Sequence, residues 1–182
     1  MKLDFFDKYF GHVNEAIVSA NHSELIMIGD VIEEANARGA KLIVAGNGGS
    51  AAMASHVTVD FTKTAGIRAV NFNEADLITC YANDYGYENW IVEALKSYAD
   101  QSDIIILISS SGMSKNLLNA ANYCRKQDLM LLTLTGFSAG NDLRQMGSYN
   151  LWVDSNSYNI VEMTHHIWLL AILDYLIEKR RL

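Results

Sequence analysis

Four serines crowd one short stretch of this sequence, Ser109-Ser110-Ser111-Gly112-Met113-Ser114-Lys115-Asn116, directly after an apolar run and directly before a segment of helical periodicity. Hydroxyls gathered around a glycine at the amino end of a helix, Ser109, Ser110, Ser111 and Ser114 here, supply neutral donors from side chain and backbone that suit a dianionic phosphate. One serine would serve as an N-cap, and four at one turn exceed what a cap uses. A second turn, Gly46-Asn47-Gly48-Gly49-Ser50-Ala51, has the same setting and offers free amides at the positive end of a helix dipole, with Asn47, Gly48 and Ser50 as ligand-facing candidates. A third, Thr135-Gly136-Phe137-Ser138-Ala139-Gly140, also fits a purely structural role. The second turn matches the loose dinucleotide pattern G-x-G-x-x-A. That chemistry requires an acidic residue at the end of the next strand to hold a ribose, and Asn71 stands there.

Groups able to move a proton lie on two other segments. His56 and Asp60 are four residues apart and share a helix face, an imidazole beside a carboxylate. Near the carboxyl end, Glu162, His165 and His166 stand at spacings of three and four, so either histidine can join Glu162 but the two cannot point the same way. The plainer readings are a satisfied core histidine at position 56 and an ordinary helical pair at 162 and 165. His12 and His22 belong to no constellation and read as surface or interface residues.

The elements that must position these groups follow from periodicity. Short β-branched apolar runs at Lys41–Ala45, Asp103–Ile108, Leu129–Leu134 and Tyr149–Val153 read as buried parallel strands, with Arg68–Asn71 a weaker fifth. Between them, Ser50–Thr62, Asp76–Ala99, Ser114–Lys126 and Ala139–Met146 have helical periodicity, which predicts right-handed crossovers and a doubly wound five-stranded parallel sheet. An amino-terminal helical pair over Leu3–Ala37 and an apolar helix over Tyr158–Lys179 exceed what one sheet face needs, so they are expected to pack partly against other subunits. With 182 residues, the chain reads as one α/β domain: helices over 1–38, an α/β core over 39–155 and a last helix over 156–182.

A net charge of −7 argues against nucleic-acid and anionic-membrane surfaces, while a small anion held by neutral donors stays compatible with it. Acidic residues interrupt the amino-terminal segment where a signal peptide would be apolar, and no run reaches the length of a membrane span, so a cytoplasmic location is expected. Cys80 and Cys124 lie in apolar surroundings without CxxC spacing and are expected to be reduced, buried thiols.

The motifs AGNGGSAAMASH, ISSSGMSKN, YANDYGYE and LTLTG stand in the order and spacing of SIS (sugar isomerase) domains, and over nearly its whole length the chain resembles the phosphoheptose isomerase group. The resemblance implies the flavodoxin-like sheet, a homotetramer or homodimer with sites between subunits, and aldose–ketose isomerisation of a sugar phosphate such as sedoheptulose 7-phosphate. It also implies that Asn83 and Asp84 meet sugar hydroxyls; Asp84 would otherwise cap a helix starting near Tyr87. The resembling enzymes carry His at position 56, Glu at 60, Gln at 162 and a further His at 170. This chain has His56, Asp60, Glu162 and Leu170. His56, Asp60, Glu162 and His166 are therefore the catalytic candidates, with His166 replacing the missing histidine. His56, Asp60 and Glu162 form a conditional zinc set, since zinc accepts one nitrogen and two carboxylates with water in an open position. The DnaA initiator-associating proteins share the fold without the full catalytic set, so a non-catalytic sugar-phosphate-binding or regulatory role stands beside the isomerase reading.

Overall fold

Five strands alternate with helices along the computed structural model, which describes residues 2–181. Helices α1 (Lys2–Val18) and α2 (His22–Ala37) precede β1 (Leu42–Gly46). Then come α3 (Gly49–Ala65), β2 (Ala69–Asn71), α4 (Ala75–Tyr85), α5 (Trp90–Tyr98) and β3 (Ile104–Ser109). The chain continues through α6 (Lys115–Lys126), β4 (Met130–Thr135), a 3-10 turn (Leu143–Gln145), β5 (Tyr149–Trp152) and α7 (Tyr158–Lys179).

All neighbouring strands pair in parallel, in the order β2-β1-β3-β4-β5. The order reverses between β1 and β3, and at such a switch point the two following connections leave on opposite faces and open a crevice at the carboxyl edge. Strand residues alternate between two cores, as a two-sided sheet demands. Leu42, Val44, Ile104, Ile106 and Ile108 pack under α1, α2, α3 and α7, whereas Ile43, Ala45, Ile105 and Leu107 pack under α4, α5 and α6. At the opposite edge, the buried Asp103 carboxylate accepts from the Lys41 ammonium at 2.5 Å and the Lys41 backbone amide at 2.9 Å, locking the starts of β1 and β3.

Four expectations change. The segment Ala139–Met146 holds only the single 3-10 turn, because the buried side chain of Asn141 bonds the carbonyls of Gly136 and Ser138 and takes the amide of Arg144, an arrangement a continuous helix would break. The stretch Asp76–Ala99 divides in two at Gly86, whose φ of 83° ends α4. Cys80 is exposed on α4; Cys124 is buried, and burial pushes its thiol up to about 12. Finally, α7 is long and apolar enough to cross a bilayer, contrary to the expectation that no run is. It is instead the central helix of its core: Val161, Leu169, Ile172 and Leu176 are buried against α1, α2 and α3, and the Trp168 indole donates to the carbonyl of Ile17 at 2.8 Å.

Candidate anion pocket and proton-transfer site

Register brings the two chemistry-bearing turns together. Gly46 pairs with Ile108 at the carboxyl ends of β1 and β3, so the glycine turn and the serine turn leave the sheet side by side at the switch point. Between them lies a cavity of about 100 Å³ lined by Asn47, Ser50, Ser109, Ser110, Ser111 and Ser114, with Tyr158 and Glu162 of α7 closing it.

Three helices begin at this cavity, and none spends a side chain on its own amino terminus. Gly48 precedes α3, Ser114 precedes α6 and Ser157 precedes α7, each without a side-chain capping bond. Part of the first turn is already spent at two of them, where the Ser50 amide donates to the Asn47 carbonyl and the Leu117 amide to that of Ser114, so what the three starts bring to the cavity, through Ser50, Ser114 and Tyr158, is mainly the positive end of a helix dipole. Capping therefore does not explain the serine cluster: the Ser114 hydroxyl lies 3.5 Å from that of Ser109 instead. The Ser110 hydroxyl is buried with no protein partner, its residue being 5 % exposed. Ser111 takes the amide of Met113 at 3.3 Å and supports the turn. Among the described residues no lysine or arginine lines the cavity, so an anion held here would rest on neutral donors and helix dipoles. Gly112 makes the turn possible, with φ at 66° and the Asn141 side chain where a Cβ would project.

Glu162 belongs to this pocket and not to a metal cluster. Its carboxylate lies against Gly49, where a Cβ would collide with it, and burial raises its proton affinity. Gly49 precedes His56 by seven residues, about 10 Å along α3, so Glu162 and His56 stand two turns apart. Among the described residues no three His, Cys, Asp or Glu side chains gather closely enough to hold a metal ion. The conditional zinc set is thus not assembled within one chain.

His56 meets His166. The two rings lie 4.8 Å apart, edge to face, and His56 Nε2 is 3.1 Å from Asp60 Oδ2. Burial holds His166 below the ordinary imidazole range, the nearby His56 lowers it further, and Asp60 partly offsets both. His166 Nε2 is buried without a partner. The result is a carboxylate–imidazole–imidazole group open on the His56 side, suited to exchanging a proton. Leu170, a turn later, packs half-buried against the core, so the position of the expected histidine is apolar. His165 points the other way: fully buried, it bonds the Thr135 carbonyl through Nε2 at 2.9 Å, and burial holds it down to about 4.

Two candidates fall outside the pocket. Asn83 donates to Asp84 at 2.8 Å, both exposed and inside α4, so Asp84 does not cap the next helix, which begins at Trp90 after Asn89. Asn71 turns inward, donating to the Thr58 hydroxyl and taking the amide of Asn73. His12 lines a separate open depression of about 390 Å³ between α1 and the turn before α7. Conversely, nothing in the sequence singles out Tyr87, Asn116 or Tyr158 as site residues. Asn116 and Tyr87 lie inside motifs quoted above, but which of those side chains turn toward Asn47 depends on packing.

The SIS domain model of this fold matches residues 5–136. A probable phosphoheptose isomerase of Thermoplasma acidophilum is 33 % identical over 165 residues, covering 87 % of this chain and 90 % of that protein. The chain belongs to the SIS domain family, within its phosphoheptose isomerase group. Solved structures agree at the level of fold. The phosphoheptose isomerase of Neisseria gonorrhoeae superposes with a TM-score of 0.88 at 22 % identity, covering 97 % of this chain and 99 % of that one. The Vibrio vulnificus NanR protein, solved in complex with ManNAc-6P, superposes with a TM-score of 0.70 at 16 % identity, covering 96 % of this chain and 62 % of that one. In this SIS domain the family match ends at Gly136, so α7, which brings Glu162 and His166 to the site, lies beyond the matched residues.

Proposed function

We propose that this chain is a sugar-phosphate isomerase of the phosphoheptose type, working in the cytoplasm as a homotetramer. The observation that carries the reading is the pairing of two sites on α3 and α7: a neutral-donor anion pocket at three uncapped helix starts, and the Asp60–His56–His166 group two turns along α3. Phosphate in the first would leave the sugar carbons to reach toward the second. Isomerisation then needs a base to take the proton from the carbon next to the carbonyl and return it to the neighbouring carbon, with the electron pair held as an enediolate between the two transfers. His56 is the exposed end of the group and the acceptor of that proton. Asp60 orients it and balances the charge it gains, and His166 is the neutral partner behind it. Among the described residues of one chain no set fits a zinc ion, and no step runs through one.

Incubation with sedoheptulose 7-phosphate in deuterated water tests the reading. The proton at the reacting carbon should exchange even where net product is scarce, since the enediolate forms before product. Asp60→Asn should slow exchange by about 10²–10⁴-fold while phosphate binding stays nearly intact, because the serine turn is a separate set of contacts. The apolar Leu170 and the unassembled metal set favour the other reading, a regulatory sugar-phosphate binder. Tight binding of several sugar phosphates without exchange in any of them would establish that reading instead.

A further inference from the structure

Asn47 lines the anion pocket, and the way its amide is held limits what it can offer a ligand. Its Nδ2 donates to Asn116 Oδ1 at 3.0 Å, and Asn116 Nδ2 donates back to Asn47 Oδ1 at 2.8 Å, a reciprocal amide pair. The Tyr87 hydroxyl donates to the same Oδ1 at 3.1 Å. An amide oxygen accepts two hydrogen bonds and an amide nitrogen donates two. Both acceptor positions of Asn47 are therefore filled, one donor is used, and a single N–H remains. Asn116 is 2 % exposed, in the first turn of α6 and across the crevice from Asn47. One turn on, Asn119 donates to the Glu88 carbonyl at 3.0 Å and to Asn89 Oδ1 at 3.1 Å, tying down the α4–α5 loop that carries Tyr87. Helix α6 thus fixes both groups that hold the Asn47 amide, from one rigid element.

We propose that Asn116 and Tyr87 are positioning residues that present Asn47 to the ligand as a lone donor, selecting an unprotonated oxygen of the bound phosphate group. An unpinned asparagine can rotate its amide and offer either end. In a pocket that takes an anion, the oxygen end would repel it and the pinned nitrogen end attracts it. The inference rests on the sugar-phosphate reading for its ligand, but not for the geometry of the amide pair.

Two measurements on the full chain separate these. Calorimetry with inorganic phosphate is run on Asn47→Ala, Asn116→Ala and the double variant, with melting temperatures alongside. A hydrogen bond to a charged group is worth about 1.5–3 kcal/mol, so each single variant should weaken binding at least tenfold. Because Asn116 acts through Asn47, the double variant should bind no more weakly than Asn47→Ala alone. Full additivity, or an Asn116→Ala chain that melts earlier but binds phosphate normally, overturns the proposal. The side-chain amide resonances of Asn47 in ligand-free protein give the second measurement. They should be well dispersed and slow to exchange in the wild type, averaged in Asn116→Ala and intermediate in Tyr87→Phe. Resonances unchanged by Asn116→Ala overturn the positioning role even if the wild type binds no phosphate, an outcome that would by itself sink only the sugar-phosphate reading.

Discussion

Ser114 occupies an N-cap position without capping, and that separates its role from the common one. Ser114→Ala should leave the melting temperature unchanged, because α6 loses no bond, yet weaken phosphate binding by about 1–3 kcal/mol in calorimetry. His165 is the opposite case, a histidine that serves the fold. Held down to about 4 against an ordinary 6.5, it stays neutral in the folded chain while the unfolded chain takes up a proton. Below pH 6.5 the unfolded state therefore binds more protons, and stability falls with pH until about pH 4, where both states are charged. The loss over that window is about 3 kcal/mol. Urea titrations at pH 7 and pH 4.5 should show it, and His165→Gln, which keeps a donor for the Thr135 carbonyl but cannot ionise, should flatten this part of the dependence.

Among the elements, the turns between strand and helix carry the tightest constraints. Gly112 sits at positive φ directly against the buried Asn141, which in turn fixes the connection after β4. Gly112→Ala meets a backbone conformation that L residues avoid and a side chain that has no room to retreat. It should cost more than about 2 kcal/mol in denaturant unfolding. Because the same turn carries Ser110 and Ser111, phosphate affinity should fall with it. A Gly112→Ala chain of unchanged stability would mean that the serine turn is held by something other than this contact. Gly49 has a related but local part. It gives Glu162 room to lie against the start of α3, which is why a carboxylate from α7 reaches a pocket built by β1 and β3.

At the scale of the molecule, α1 presents an aromatic face that none of the described residues covers. Phe5, Phe6 and Phe10 are 61 %, 55 % and 63 % exposed, and their rings stack in a ladder with Tyr9. Leaving such a face in water forfeits the stabilisation that burial of large rings supplies. A second copy covering it accords with the proposed homotetramer. The wild-type chain should sediment as an oligomer, and Phe6→Glu with Phe10→Glu should shift it to a smaller species without unfolding it. A wild-type monomer at micromolar concentration would remove the assembly.

The strands and the parallel sheet are legible in the sequence alone, because β-branched runs and glycine turns act through local periodicity and backbone freedom. The sequence also picked out the serines, since their excess over capping needs is visible in one turn. Periodicity overreached where side chains override it: Asn141 dissolved the helix expected over Ala139–Met146, and Gly86 split the one over Asp76–Ala99. Spacing along α7 left His165 and His166 equivalent, and only packing could separate them. The sheet claims His165 through the Thr135 carbonyl, and α3 faces His166. The same packing took Glu162 away from His56: α7 sets Glu162 against Gly49 at the start of α3 and His166 against His56 two turns later. The Asn47–Asn116 pair spans 69 residues; it exists because β1 and β3 are neighbours at the point where the strand order reverses.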